Sequence, residues 1–325
     1  MNRDLSPKKR KTSVGGQAVI EGVMMRGAKG IATAVRVTNG EIKVESENYV
    51  SSTKKNKILS LPIIRGFVSL IESLIIGIKS LNYSASLFET EEEEESKFDK
   101  WFDRTFKDKG QDIILGISLI ISLGFATLLF FILPTFLTSM AKNYIKDSSL
   151  ILNIVEGVIR VVIFFAYIVV IGKMKDIQRV YMYHGAEHKS IACYESGEEL
   201  TPKNAKKFSR LHPRCGTNFL FLVMIISIII FSLTGWESIS QRIISRIVLL
   251  PVVSGVTYEV IRFLGKSESK LSKFIAKPGL MLQKLTTREP DLEMLEVAIK
   301  ALKTAEGIED KEVNEVAYEN SNIIN

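Results

Sequence analysis

The chain has 325 residues, room for one large domain or two small ones, with 24% charged residues and a mean hydropathy of +0.16. That is too apolar for an average soluble domain and too charged for a chain lying wholly in lipid, so the two kinds of residue must be segregated along the sequence. The formal charge of +7 does not point to nucleic acid, because Lys and Arg flank apolar runs instead of forming a stripe interleaved with aromatics.

Residues 1–14 read as a disordered basic tail suited to the cytosol beside anionic lipid; no signal peptide is expected, since no apolar core follows the basic start. A small cytoplasmic β unit is expected over 15–57. Gln17–Met25 reads as one strand, Ile31–Val37 as another, and Asn39-Gly40 as the turn leading into the alternating run Glu41–Glu45. Residues 58–88 read as an amphipathic helix on the membrane surface: Arg65, Glu72 and Lys79 recur along one stripe and leave no uncharged run long enough to span. The same helix could equally be the core helix of the sheet. Residues 89–111, with the run Glu91–Glu95, read as an acidic linker.

Transmembrane helices 1 and 2 are placed within 112–172, as Ile113–Ser139 and Leu150–Gly172, and helices 3 and 4 within 216–265, as Gly216–Trp236 and Ile247–Leu264. Each is near the roughly 20 apolar residues that cross a bilayer. The fold class is therefore a mostly α membrane protein of four transmembrane helices, a small N-terminal antiparallel β unit and an interfacial helix. Between them, the connection 173–215 carries nine basic residues, whereas the short connections 140–149 and 237–246 carry Lys142, Lys146, Arg242 and Arg246. This asymmetry predicts an inner (cytoplasmic) membrane protein with both termini in the cytoplasm and the lipid bilayer as its partner. Protein partners are not legible. Residues 266–325 read as a cytoplasmic tail with a short helix over Asp291–Lys303 begun by Pro290.

All three histidines and both cysteines of the chain lie in the connection 173–215. Asp176–Glu195 reads as a helix ending near Gly197, which puts His184 and His188 one turn apart on one face with Glu187 beside them. This HxxEH spacing is the inverted zincin pattern: two imidazoles hold a divalent metal, most simply zinc, and the carboxylate serves as general base. His212 and Cys215 add a nitrogen and a sulfur, so the metal ligands are read as His184, His188, His212 and Cys215. Three protein ligands plus water would make the site catalytic and four would make it structural; the sequence leaves both open. Cys193 falls on the opposite helix face and reads as a small buried apolar residue. Glu259 and Arg262 read as an intrahelical ion pair or a functional pair at the last span's end, and Glu156 with Arg160 as structural. Gln17, Glu21 and Arg26 receive no role; Glu21 in an apolar strand could be a ligand or face solvent.

The stretches GGQAVIEGVMMRG at 15–27, YHGAEHKSIACYE at 183–195, HPRCGTNF at 212–219, YEVIR at 258–262 and the EP-to-VAIKAL stretch at 289–302 resemble the YqhQ family of bacterial membrane proteins. That resemblance covers nearly the whole chain. It implies membrane residence and a metal-dependent enzyme with no substrate named, and its signature residues fall on Gln17, Glu21, Arg26, His184, Glu187, His188, His212, Arg214, Cys215, Glu259 and Arg262. The expected function is a metal-dependent hydrolase at the cytoplasmic membrane face, with Glu187 as base and Arg214 or Arg262 stabilising a developing anion. A scaffold or assembly protein with a structural metal is the alternative.

Overall fold

In the computed structural model the described residues are 12, 14–88, 110–141, 149–212, 215–233, 238–266 and 269–309. Most of the basic tail expected over 1–14 and nearly all of the acidic linker expected over 89–111 lie outside them. The chain is mostly helical with one small antiparallel sheet. It divides into two compact units, one formed by residues 1–88, 170–222 and 254–325, the other by 89–169 and 223–253.

The first unit holds the sheet, a meander of β1 (Gly15–Val19), β2 (Gly22–Arg26), β3 (Ile31–Arg36) and β4 (Ile42–Glu47). The single strand expected over Gln17–Met25 is instead two, folded back at Ile20-Glu21 so that Val19 pairs with Gly22. Glu21 takes a positive φ of 49° there, held by a two-pronged ion pair with Arg179 and by the Tyr183 hydroxyl, which donates to its carboxylate at 3.3 Å. The β3–β4 turn forms at Asn39-Gly40 as its residues require: Gly40 has φ 88° and Asn39 accepts the Glu41 N–H.

Strand alternation gives the sheet two buried faces. On one, Val23, Met25, Ala32 and Ala34 join a core with helix α6 (Lys175–Ser196) and helix α11 (Leu292–Glu306). On the other, Met24 and Ile31 meet Ile76 of helix α2 (Ile64–Ser86). Helix α1 (Ser52–Lys55) precedes α2, and the residues between them form turns, so the helix expected from 58 begins at Ile64. Both readings of that segment have a counterpart. Ser80 and Ser84 bond to Thr33 and to the Ile20 carbonyl on the sheet side, while Ile64, Ile71, Leu74, Ile75, Ile78 and Leu81 form an exposed apolar stripe.

The sheet is not a self-contained N-terminal unit, because its largest core partner is the C-terminal helix α11. That helix is capped by Asp291, which accepts the Met294 N–H at 2.8 Å, and stopped by Gly307 at φ 70°. Its Met294, Leu295, Val297, Ala298, Ala301 and Leu302 are all buried, so this helix of the expected cytoplasmic tail is part of the core. The tail also holds a second helix that the sequence reading did not contain, α10 (Lys270–Thr286). Short α7 (Pro202–Ala205) and apolar α8 (Gly216–Ser232) complete the run after α6.

The second unit contains α3 (Gly110–Thr127), a π-helical turn at Leu128–Ile132, α4 (Leu133–Ala141) and α5 (Ser149–Ile171). The last long helix, α9 (Ile239–Lys266), runs from this unit into the first. Among the described residues three helices are long and apolar enough to cross a membrane: Gly116–Ala141, Ser149–Ile171 and Ser240–Leu264. Helix α8, expected as a span over Gly216–Trp236, is a shorter apolar helix over Gly216–Ser232. Arg242 and Arg246 were expected in a connection but lie within α9. The physical reason is Glu156 of α5, which is 1% exposed and draws the guanidiniums of Arg160, Arg242 and Arg246 around one carboxylate. Thr135 also donates to it at 2.9 Å.

Helix α6 is buried by backbone contact as much as by apolar side chains. A Cβ at Gly185 would stand 2.1 Å from the Arg288 carbonyl oxygen, and the Arg288 N–H donates to the Tyr181 carbonyl at 2.8 Å. Gly185→Ala should therefore destabilise the protein by about 1–3 kcal/mol, read as a lowered denaturation midpoint in detergent. Leu302→Ala, at a fully buried position, should cost about 2–5 kcal/mol in the same assay.

Candidate metal centre

Helix α6 carries His184, Glu187 and His188 at the spacing expected for one face, and its end at Gly197 is a left-handed C-cap with φ 81°. The return of the chain past α7 is held by Lys189, a buried lysine that donates to the carbonyls of Lys206 and Phe208 and pairs with Glu289 at 2.9 Å. Those contacts bring Arg210, His212 and Cys215 back against α6. Cys215 sits at the start of α8, where its Sγ accepts from the Thr217 N–H at 3.4 Å and meets the Thr217 hydroxyl at 3.1 Å.

Each of two imidazoles is fixed through Nδ1. That of His184 faces the Thr286 carbonyl at 2.9 Å, and that of His188 faces the Arg210 carbonyl at 2.6 Å. A carbonyl only accepts, so Nδ1 is the donor in both rings, and in the neutral tautomer this fixes, Nε2 is left with the lone pair. The Nε2 of His184 lies 3.2 Å from Cys215 Sγ, and the buried Nε2 of His188 has no hydrogen-bond partner among the described residues. One ligand atom from each of His184, His188 and Cys215 lies within 4.8 Å of the others. Two imidazole nitrogens and a thiol sulfur that converge in this way are donors of the kind zinc takes, and the carbonyls behind the two rings set their tautomers.

His212 stands beside this trio. Its ring centroid is 5.8 Å from that of His188, its Nε2 is 3.5 Å from the Glu195 carboxylate, and Gln283 brackets its backbone, accepting its N–H at 2.9 Å and donating to its carbonyl at 2.8 Å. Glu187 is 4% exposed and lies against Gly16 of β1, where only a glycine leaves room. Burial drives its carboxyl well above the usual carboxylate range, with His184, His212 and the Gly16 backbone pulling the other way, and its Oε2 has no hydrogen-bond partner among the described residues. Arg214 lies outside the described residues, and Arg262 is exposed on α9.

The remaining signature residues make contacts elsewhere in the same unit. Glu259 pairs through both carboxylate oxygens with Arg65 of α2, not with Arg262 of its own helix, at a crossing where Gly66 abuts Gly255. Glu21 braces its turn against Arg179, Arg26 stacks 4.7 Å over the Tyr49 ring, and the Gln17 carboxamide occupies the space beside Gly77. Cys193 is fully buried, its thiol pushed up to about 11 chiefly by that burial. The residues that sequence reasoning missed are Thr286, Arg210 and Gln283, whose backbone or amide groups orient the histidines; a backbone carbonyl acceptor leaves no mark on residue type.

Together these features define a mostly helical protein with a small antiparallel sheet, helices able to cross a membrane, and a His/His/Cys cluster in the unit that holds the sheet. A family model described as a protein of unknown function, DUF1385, matches residues 61–307. The uncharacterized protein YqhQ of Bacillus subtilis strain 168 is 33% identical over 300 residues, which cover 91% of this chain and 93% of that one. The chain belongs to this YqhQ (DUF1385) family. No solved structure matches the chain significantly. Neither description names a metal or a reaction.

The raised carboxyl has a consequence for stability. In chelator-treated protein the unfolded chain ionises Glu187 in the ordinary carboxylate range while the fold resists doing so, so stability should fall as pH rises from that range. Glu187→Gln should flatten that fall, read as thermal midpoint against pH.

Proposed function

We propose that the chain is an inner-membrane, zinc-dependent hydrolase-like protein whose site faces the cytoplasm. The observation that carries the reading is the pair of Nδ1-anchored imidazoles whose Nε2 atoms converge with Cys215 Sγ. Three such donors leave a fourth position open, the arrangement of catalytic zinc, and His212 being engaged with Glu195 favours it over a closed four-ligand shell. The membrane assignment draws on the three long apolar helices and on the excess of Lys and Arg in the connection 173–215. With α8 as the fourth span, both termini share the cytoplasmic side. Helix α8 is about 25 Å long at 1.5 Å per residue, slightly under the hydrocarbon thickness of about 30 Å. The apolar stripe of α2 suits the headgroup boundary.

A divalent cation held by His184, His188 and Cys215 supplies Lewis acidity and a water of lowered pKa. The protein's own part is then proton handling. Glu187 is desolvated, which raises its carboxyl above the usual carboxylate range, and its Oε2 has no hydrogen-bond partner among the described residues, so it is placed to take a proton from an attacking water and return it to a leaving group. Thr286 and Arg210 keep the imidazole lone pairs aimed inward throughout. An amphiphilic substrate, a lipid or a peptide, suits a site beside the bilayer.

Detergent-purified protein should carry stoichiometric zinc, and His184→Ala with His188→Ala should lose it while the chain stays folded by circular dichroism. Glu187→Gln should retain the metal yet lower turnover of a hydrolysable amphiphile by about 100-fold or more. X-ray absorption should find two nitrogens, one sulfur and an exchangeable oxygen. Four protein ligands with no exchangeable water would instead favour the scaffold reading, and absence of metal from both proteins would remove the centre altogether.

A further inference from the structure

Helix α10 (Lys270–Thr286) has two faces of opposite character. Its inner face is buried: Leu282 and Gln283 are 1% and 0% exposed, and Gly279 lies against the Asn218 side chain. Its outer face is apolar and uncovered, with Leu271, Phe274, Met281 and Leu285 at 65%, 75%, 58% and 41% exposure and Pro278 among them. At about 100° per residue these five occupy one stripe, and Lys270, Lys277 and Lys284 form an exposed row along the stripe's edge. The helix contains no Asp or Glu.

We infer that α10 lies in the headgroup region of an anionic bilayer, its apolar stripe in the acyl boundary and its lysine row against lipid phosphates. Two observations choose lipid over a protein occupant. Complementarity is the first: an acid-free lysine edge needs anions from outside, and a second copy of the chain would present another lysine edge instead. Continuity is the second: α10 begins at Lys270, just past Lys266 where α9 ends, and the apolar stretch of α9 closes at Leu264 with Phe263 70% exposed. A helix leaving the end of a span can turn along the interface, and lysines there reach the phosphates while their stems cover acyl chain. The inner face of the same helix supplies the Thr286 carbonyl and the Gln283 amide that orient His184 and His212, so a lipid-seated element also holds the candidate metal centre.

The test uses the full-length protein with Trp101 and Trp236 replaced by Phe and with Phe274→Trp as the sole indole, reconstituted into vesicles of phosphatidylcholine alone or equimolar with phosphatidylglycerol. Bromine-labelled lipids brominated near the headgroup end of the chain should quench the introduced indole, more strongly with phosphatidylglycerol. Lys270→Glu, Lys277→Glu and Lys284→Glu together should abolish that preference; the corresponding Gln substitutions, which cannot add repulsion, should lose it as well. An indole that emits as in water and is unquenched by the brominated lipid overturns the inference. So does an indole shielded from both water and lipid whose neighbour, by cysteine crosslinking at Met281, is a second copy. None of these readings requires metal, so they stand apart from the fate of the zinc proposal.

Discussion

Helix α6 carries few large apolar side chains, yet most of its second half is buried, and the close approach of the backbone at residue 288 to Gly185 makes this possible. The extended segment after Thr286 lies directly on the helix, fixed by the Arg288 N–H on the Tyr181 carbonyl. That contact places the end of α10 over His184 and the start of α11 against the sheet. A side chain at residue 185 would lift the segment away and take the Thr286 carbonyl out of reach of Nδ1. Gly16 plays the matching part on the other side of the helix, admitting the Glu187 carboxyl against β1.

Within this packing the site holds groups that a fold selected for stability alone would avoid. Among the described residues the Glu187 Oε2 and the His188 Nε2 are buried without a partner, and such groups cost free energy. The surrounding polar groups do not relieve these two; they orient them. Lys189 clamps the returning chain, Gln283 holds His212 at both ends of its peptide, and two carbonyls fix the tautomers. Local conflict of this kind is what the proposed chemical role of these positions would require.

The sequence reading recovered what depends on near neighbours. The extent of α6 followed from a stretch with no Gly or Pro except Gly185 and from the stop at Gly197, the β3–β4 hairpin from Asn39-Gly40, and the place of α11 from Pro290, one residue before its Asp291 cap. What escaped depends on distant partners. Ile20-Glu21 contains no glycine or asparagine, and its turn is held by Arg179, far along the chain, so a single strand was the natural reading. Pro278-Gly279 hides α10 from propensity, although its stripe of apolar residues is regular. Arg242 and Arg246 look like loop charges until Glu156 is known to lie beside them. For the site, residue identity and spacing named His184, His188, His212 and Cys215 as one set, whereas the grouping of three of them and the engagement of His212 with Glu195 required coordinates.

The π-helical turn at Leu128–Ile132 has its own consequence. A π turn accommodates one residue more than an α turn, which advances everything beyond it by about 100° around the axis. The hydrogen-bonding slack it creates is used: the Phe130 carbonyl accepts the Arg160 Nε at 2.9 Å. Because of that angular offset Thr135 and Thr138 are buried and Thr135 reaches Glu156. Shortening the chain by one residue here would restore regular helix and at the same stroke rotate the threonine face off the acid. The irregular turn is thus a register device, and a length change of a single residue would unmake the polar knot that gathers three arginines.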